Sequence, residues 1–434
     1  MSQPAAPFVQ DLASRFAAVR AATERLAEPL SPEDATAQSM PDASPVKWHL
    51  AHTSWFFETF LLESVSGYRP LDPAYRVLFN SYYHSVGEQY FRPERGMITR
   101  PGLAEVRAYR AHVDEACRAL LARGALSPAQ CAVLELGLHH EQQHQELILT
   151  DLKHLFAKNP LHPVYRPRPP EDSPRPVPAL AWHAQPSGLR EIGHAGAGFA
   201  FDNEGPRHRV FVHGFALASR LVTNGEYLAF VEERGYERPE LWLSDGFTAL
   251  GANGWRAPLY WQESDGAWRQ FTLAGLRALA PDEPVAHVSA YEADAYARWA
   301  GARLPTEAEW EVVAAQARPA GNFAESGRLH PTPMTSLGSA SLRAPAALAS
   351  VEGPAQLFGD VWEWTSSAYA PYPGYRPPAG ALGEYNGKFM ANQLVLRGGS
   401  CATPLSHIRA SYRNFFHPDA RWQFSGIRLA RDAS

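Results

Sequence analysis

Cysteine is scarce in this chain: Cys117, Cys131 and Cys401 are the only three in 434 residues. Three thiols so far apart make no disulfide framework, and the expected compartment is the reducing cytoplasm. Long apolar runs are missing as well, and nothing approaches the roughly 20 consecutive apolar residues that span a bilayer. The opening MSQPAAPFVQDLASRF has no basic segment followed by an apolar core, so no signal peptide is expected. Runs of one charge are also absent. With a formal net charge of -5 and no basic stretch, neither nucleic acid nor a membrane surface is an expected partner. No internal repeat is visible, and the sequence sets no oligomeric state. Aromatic residues, by contrast, are plentiful. The 12 Trp, 17 Tyr and 21 Phe are enough to fill cores and to line a pocket. The length exceeds what one small core needs and predicts two domains, in a chain of ordinary globular composition.

Phe8 to Leu30 carries apolar residues at three- and four-residue steps, the mark of an amphipathic helix. A second helix, PVKWHLAHTSWFFETFLLESV, opens with Ser44 as expected N-cap and Pro45 at the first helical position. It bears His49 and His52, either of which can face the interior beside Trp48, Trp55 and Phe56. The aromatic stretch LDPAYRVLFNSYYHSVGEQYFRPERGMITRPG follows, too long for a casual loop and a candidate wall of a site. Two further helices read from Leu103 to Arg123 and from Ser127 to Ala157. The last contains HHEQQHQE, and on a helix His140 and His144 stand one above the other with Gln143 and Glu146 close by. Four helices with a long crossover fit a four-helix bundle, whose facing helices project ligands inward. A His of the second helix can then complete a metal site begun by His140 and His144. An ordinary polar helix face explains the pair equally well when it is taken alone.

The match of HEQQH to the H-E-x-x-H pattern of zinc proteases fails further on. The extended pattern needs Gly and His where this chain has Leu147 and Thr150, and a proline-rich stretch follows at once. Three imidazoles with open positions suit catalytic zinc or non-haem iron(II), and imidazoles alone do not choose between them. The proline-rich connector marks the domain boundary, giving a helical domain over 1–158, a linker over 159–185 and a second domain over 186–434. In the second domain short apolar segments (FVHGFAL, PVAHVS, LVLRGGS) alternate with turn residues, with one clear helix from Ser289 to Ala300 and loops after Ala314. The predicted fold class is α+β in two domains.

RLPTEAEWE (Arg303 to Glu311), GDVWEWT (Gly359 to Thr365), LRGGS (Leu396 to Ser400) and FSGIRLAR (Phe424 to Arg431) resemble the formylglycine-generating-enzyme-type domain, a variant of the C-type-lectin fold. The N-terminal half resembles the DinB-type four-helix bundle. Together with HLAH and HEQQHQE, these motifs resemble the EgtB-like sulfoxide synthases of ergothioneine biosynthesis over nearly the whole chain. The resemblance implies an Fe(II) enzyme that uses O2 to join the imidazole C2 of hercynine to a thiol such as cysteine or γ-glutamylcysteine. It implies His52, rather than His49, as the third ligand with His140 and His144. Gln143 is implied to contact the hercynine imidazole, Asn414 its betaine end, and Phe415 and Phe416 its quaternary ammonium, an attraction of roughly 0.5 to 2 kcal/mol per aromatic face. Core packing is the plain alternative for the two phenylalanines. Tyr82 or Tyr83, in NSYY, is implied as the proton or electron donor. Arg76, Arg92 and Arg95 are candidates for a donor carboxylate.

Departures narrow the reading. Relatives that use γ-glutamylcysteine carry an acidic residue at the position of Phe416, which leans the donor towards cysteine or something else. A selenoneine synthase branch with a selenosugar donor shares the architecture. Formylglycine-generating enzymes proper need a cysteine pair in this domain, and only Cys401 follows the linker. A zinc-dependent thiol transferase of the DinB type is the more distant alternative.

Overall fold

The computed structural model describes residues 6–124, 126–168, 177–334 and 353–433. The chain divides into two compact units. One is Met1–Arg166 with Pro377–Tyr385, and the other is Pro167–Arg376 with Asn386–Ser434.

In the first unit the helices are α1 (Ala6–Ala27), α2 (Pro32–Thr36), α3 (Val46–Phe60), α4 (Tyr75–Leu78), α5 (Leu103–Ala122) and α6 (Pro128–Ala157). The four long ones pack as a bundle, α1 against α6 and α3 against both α5 and α6. At α6 Ser127, the residue from which that helix was read, is the N-cap, and it forms a capping box in which its hydroxyl accepts from Gln130 N–H. At α3 the expected cap fails. Pro45 is the N-cap and offers no side-chain bond, while the Ser44 hydroxyl accepts instead from Arg95. Between α3 and α5 the crossover segment is anchored by N–H groups of α3 itself. Trp48, His52 and Trp55 donate to the carbonyls of Leu78, Phe79 and Arg76 respectively. These bonds satisfy the carbonyls at the end of the short α4 and set that segment against the face of α3 that carries His52.

The second unit holds β1 (Trp182–Gln185), β2 (Gly188–Ile192), β3 (His208–Val212), β4 (Phe215–Ala218), β5 (Trp261–Ser264), β6 (Ala267–Thr272), β7 (Gly275–Ala278), β8 (Trp362–Ala368), β9 (Leu394–Arg397), β10 (Asn414–Phe416), β11 (Ser425–Gly426) and β12 (Ala430–Asp432). They form small sheets in the orders β1-β4-β12, β2-β3, β5-β6-β7 and β10-β9-β8-β11. Its helices are α7 (Asn224–Glu232), α8 (Ser244–Asn253), α9 (Ala290–Trp299) and α10 (Glu307–Ala314). Strand β1 begins inside the connector expected over 159–185, and PVAHVS forms no strand. The loops expected after Ala314 lie partly outside the described residues.

The motifs that carried the family resemblance turn out to be one another's partners. Arg397 of LRGGS donates to Glu307 and Glu311 of RLPTEAEWE at 3.0 and 2.9 Å. Glu363 of GDVWEWT accepts from Arg428 of FSGIRLAR at 2.7 Å and from Trp310 Nε1 at 2.8 Å. All are buried, and each charge is paired, as burial requires. Gly398 follows with φ of +98°, and a Cβ there would lie 2.6 Å from the Leu357 carbonyl oxygen, so only glycine fits. Among the described residues no helix is long and apolar enough to cross a membrane.

Candidate metal centre

Helices α3 and α6 face each other, and each turns histidines inward. His52 comes from α3, and His140 and His144 come from successive turns of α6. One ring nitrogen from each lies within 4.8 Å of the others, and all three residues are buried. Nε2 of His52 and Nε2 of His140 are 3.2 Å apart. Two ligands about 2.1 Å from one ion stand about 3.0 to 3.4 Å apart, so this spacing fits a shared metal. His52 Nδ1 donates to the Phe79 carbonyl at 2.7 Å, which leaves its Nε2 as a bare lone pair. His140 Nδ1 is buried and has no hydrogen-bond partner among the described residues. Burial is the main cause that holds all three imidazoles neutral. It takes His140 down to about 3, and takes His52 and His144, each with His140 beside it, well below the ordinary histidine value. Neutral nitrogens with convergent lone pairs are what a divalent cation needs.

Helical spacing alone left His49 and His52 as rivals, the family resemblance favoured His52, and the two differ in their surroundings. His49 Nδ1 lies 2.8 Å from His144 Nδ1, and its Nε2 lies 3.1 Å from Asp151 Oδ2, so it stands behind a candidate ligand. His52 is stacked between two indoles, Trp48 at 4.6 Å and Trp55 at 5.4 Å.

Glu141, the would-be protease base, points away from the triad. Its carboxylate accepts from Arg20 at 2.8 Å, from Thr23 at 2.6 Å and from Arg110. Burial would raise its pKa, but Arg110 and Arg20 outweigh that and hold it at about 2. A carboxylate locked between two guanidiniums cannot take a proton from water near neutral pH. The misfit in the extended zinc-protease pattern thus has a structural counterpart.

A tyrosine missing from the sequence reading enters the first unit from far along the chain. Tyr385 donates its hydroxyl to Gln143 Oε1, and its ring lies 5.7 Å from that of His140. Tyr82 is 6.5 Å from Tyr385 and stacks on Tyr83 at 4.7 Å, so the expected pair stands beside it. Tyr83 is fully buried, and burial pushes its phenol well above the ordinary value. Glu384 fixes this neighbourhood by accepting from the backbone N–H groups of His84 and Ser85, each at 2.9 Å. No local signal in the GEYNG stretch foretold this, since its role depends on a chain return of some 240 residues.

The remaining candidates sort by unit. Asn414, Phe415 and Phe416 form β10, paired with β9 in the second unit. The Asn414 amide oxygen accepts from Phe415 N–H, Phe415 stacks on Tyr369 at 4.0 Å, and Phe416 meets Trp422 edge-on at 5.8 Å. Of the arginines, Arg76 pairs with Glu63 near the surface. Arg92 donates to the Asp42 carbonyl. Arg95 is buried, 3.4 Å above the Trp48 ring. Cys401 is buried.

Comparison with known proteins agrees with this division. Residues 15–148 match the DinB superfamily, and residues 184–433 match the sulfatase-modifying factor enzyme 1-like domain. A hercynine oxygenase of Mycolicibacterium thermoresistibile is 34% identical, with 100% of this chain and 97% of that protein aligned. One from Mycobacterium tuberculosis is 35% identical over 98% of this chain and 99% of its own length. A formylglycine-generating enzyme of Streptomyces coelicolor is 30% identical but aligns with only 57% of this chain. Both domains and the full length are therefore shared with one group of enzymes, and the chain belongs to the hercynine oxygenase family of oxidoreductases.

Proposed function

We propose that this enzyme is a non-haem iron(II) sulfoxide synthase of ergothioneine biosynthesis. It joins C2 of the hercynine imidazole to the sulfur of a thiol, with cysteine and γ-glutamylcysteine as candidate donors. One O2 supplies the sulfoxide oxygen, and its other oxygen leaves as water with the hydrogens of C2–H and S–H. The observation that carries the reading is the buried His52, His140 and His144 triad in a chain that matches hercynine oxygenases from end to end.

His52, His140 and His144 would hold iron(II), which would supply the activation of O2. The residues of the chain do the rest. Gln143, held by the Tyr385 hydroxyl, orients the hercynine imidazole. The resemblance assigns Asn414, Phe415 and Phe416 to the betaine end of hercynine. In this reading Tyr385, whose ring lies 5.7 Å from that of His140, delivers a proton from its hydroxyl, with Tyr82 and Tyr83 as the neighbouring phenols. The apolar walls of Trp48, Trp55 and Phe56 keep water from the triad.

The test uses protein purified without oxygen, analysed for metal and then supplied with hercynine and one donor at a time. Iron content near one per chain, O2 uptake that requires both substrates, and a product with the mass of the sulfoxide are expected. Turnover without O2 would overturn the reading in favour of a zinc thiol transferase. A selenosugar donor tried in the same assay decides between sulfur and selenium transfer.

A further inference from the structure

A neutral imidazole binds a metal through one nitrogen only if its single proton sits on the other, so an acceptor behind a ligand fixes the binding tautomer. His52 has the Phe79 carbonyl in that place. His144 has no carbonyl there. Behind its Nδ1, at 2.8 Å, stands another imidazole nitrogen, Nδ1 of His49. Either ring is able to own the shared proton, and only ownership by His144 leaves its Nε2 bare towards the triad.

Asp151 breaks the tie. A carboxylate only accepts, and Asp151 Oδ2 lies 3.1 Å from His49 Nε2, so the His49 proton belongs on Nε2. With its proton on Nε2, His49 offers the lone pair of Nδ1, and His144 is the donor. The same Asp151 oxygen accepts from the Ser44 backbone N–H at 2.8 Å, which fixes the carboxylate at the start of α3. The side chains of His49 and Asp151 are only 3% and 6% exposed, so water does not replace either bond.

We propose that His49 and Asp151 are positioning residues for the metal centre. Through one chain of hydrogen bonds they hold His144 in the Nδ1–H tautomer and keep His49 itself out of the ligand set. This rests on the reading of the triad as a metal site. It also gives a physical reason for both histidines of HLAH, one to bind and one to orient.

The test is anaerobic Co(II) binding by chelator competition, with the visible Co(II) spectrum and the unfolding temperature of each metal-free variant recorded alongside. His49→Phe and Asp151→Ala remove an acceptor, and each is expected to weaken Co(II) binding about 10- to 100-fold. His49→Gln keeps an acceptor for His144 and should recover much of that loss, as should Asp151→Asn. A lowered unfolding temperature with wild-type Co(II) affinity and spectrum would mean a merely structural role and would overturn the proposal. Should the variants fail to fold, nitrogen-15 NMR of the zinc-loaded wild type decides. It should find His49 protonated on Nε2 and His144 bound through Nε2, and ligation through His144 Nδ1 would overturn the proposal. Failure of the wild type to bind, or wild-type binding by His140→Ala, would instead bring down the triad reading itself.

Discussion

Glu141 and His140 are adjacent in sequence yet meet different neighbours, because successive residues on a helix are about 100° apart. His140 faces α3 and the triad. Glu141 faces Arg20 and Arg110, both essentially buried, and it is their principal counter-charge. Arg20 keeps Asp114 and Arg110 keeps Glu24, but both guanidiniums lose their fully buried counter-charge, so Glu141→Ala should cost about 3 kcal/mol in denaturant unfolding. A catalytic base would show the reverse pattern, with stability kept and activity lost. For Tyr385 the expectation is the opposite one. Tyr385→Phe should leave unfolding nearly unchanged and lower sulfoxide formation about 100-fold or more, with thiol oxidation as the competing outcome in a product assay. If the double Tyr82→Phe, Tyr83→Phe variant alone diverts the products, the proton donor is the NSYY pair. The difference in legibility between these residues is physical. His140 and His144 were readable because helical spacing is local, whereas Tyr385 depends on a long-range return of the chain that no window of sequence contains.

Helix α6 carries a glycine in its interior, which costs about 1 kcal/mol relative to alanine unless packing requires it. Packing does require Gly137. A Cβ there would meet Phe57 ring carbons at 2.4 and 2.9 Å and Phe56 at 3.1 Å, and both rings are completely buried. This close approach of α3 and α6 lies one turn before His140 and sets how near His52 can come. Gly137→Ala should therefore destabilise by about 1 to 3 kcal/mol despite its better helix propensity. It should also weaken Co(II) binding, although Gly137 is not itself a candidate ligand. A stabilised variant with unchanged metal affinity would refute this account of the helix pair. The long helices were legible from apolar periodicity, and α6 even from its cap. The start of α3 misled because Ser44 offers its hydroxyl to Arg95 and its backbone N–H to Asp151, a tertiary demand that overrides the local capping preference.

The whole chain is two units with an exchange of one segment, since Pro377–Tyr385 lies with the helices while its flanks belong to the second unit. The domain range 186–434 expected from composition did not anticipate this. The family motifs were legible because they are buried charge pairs whose spacing tolerates little change, and the surrounding loops were not because turn residues permit many paths. The three candidate metal ligands all lie in the first unit. Saturating metal at 100 times its dissociation constant should stabilise the helical unit by about 2.7 kcal/mol. Chelation should then lower one calorimetric transition and leave that of the second unit in place, and equal shifts of both would contradict an independent second unit.

The indoles that sandwich His52 have a use beyond shielding it. Trp48 and Trp55 lie within 5.4 Å of that ring, nearly parallel to it, so an open-shell ion at its free nitrogen falls within contact range for quenching their excited states. Near-ultraviolet emission thus gives the enzyme a label-free optical gauge of cofactor loading. Zinc, with its closed shell, should leave that light bright where iron or cobalt dims it.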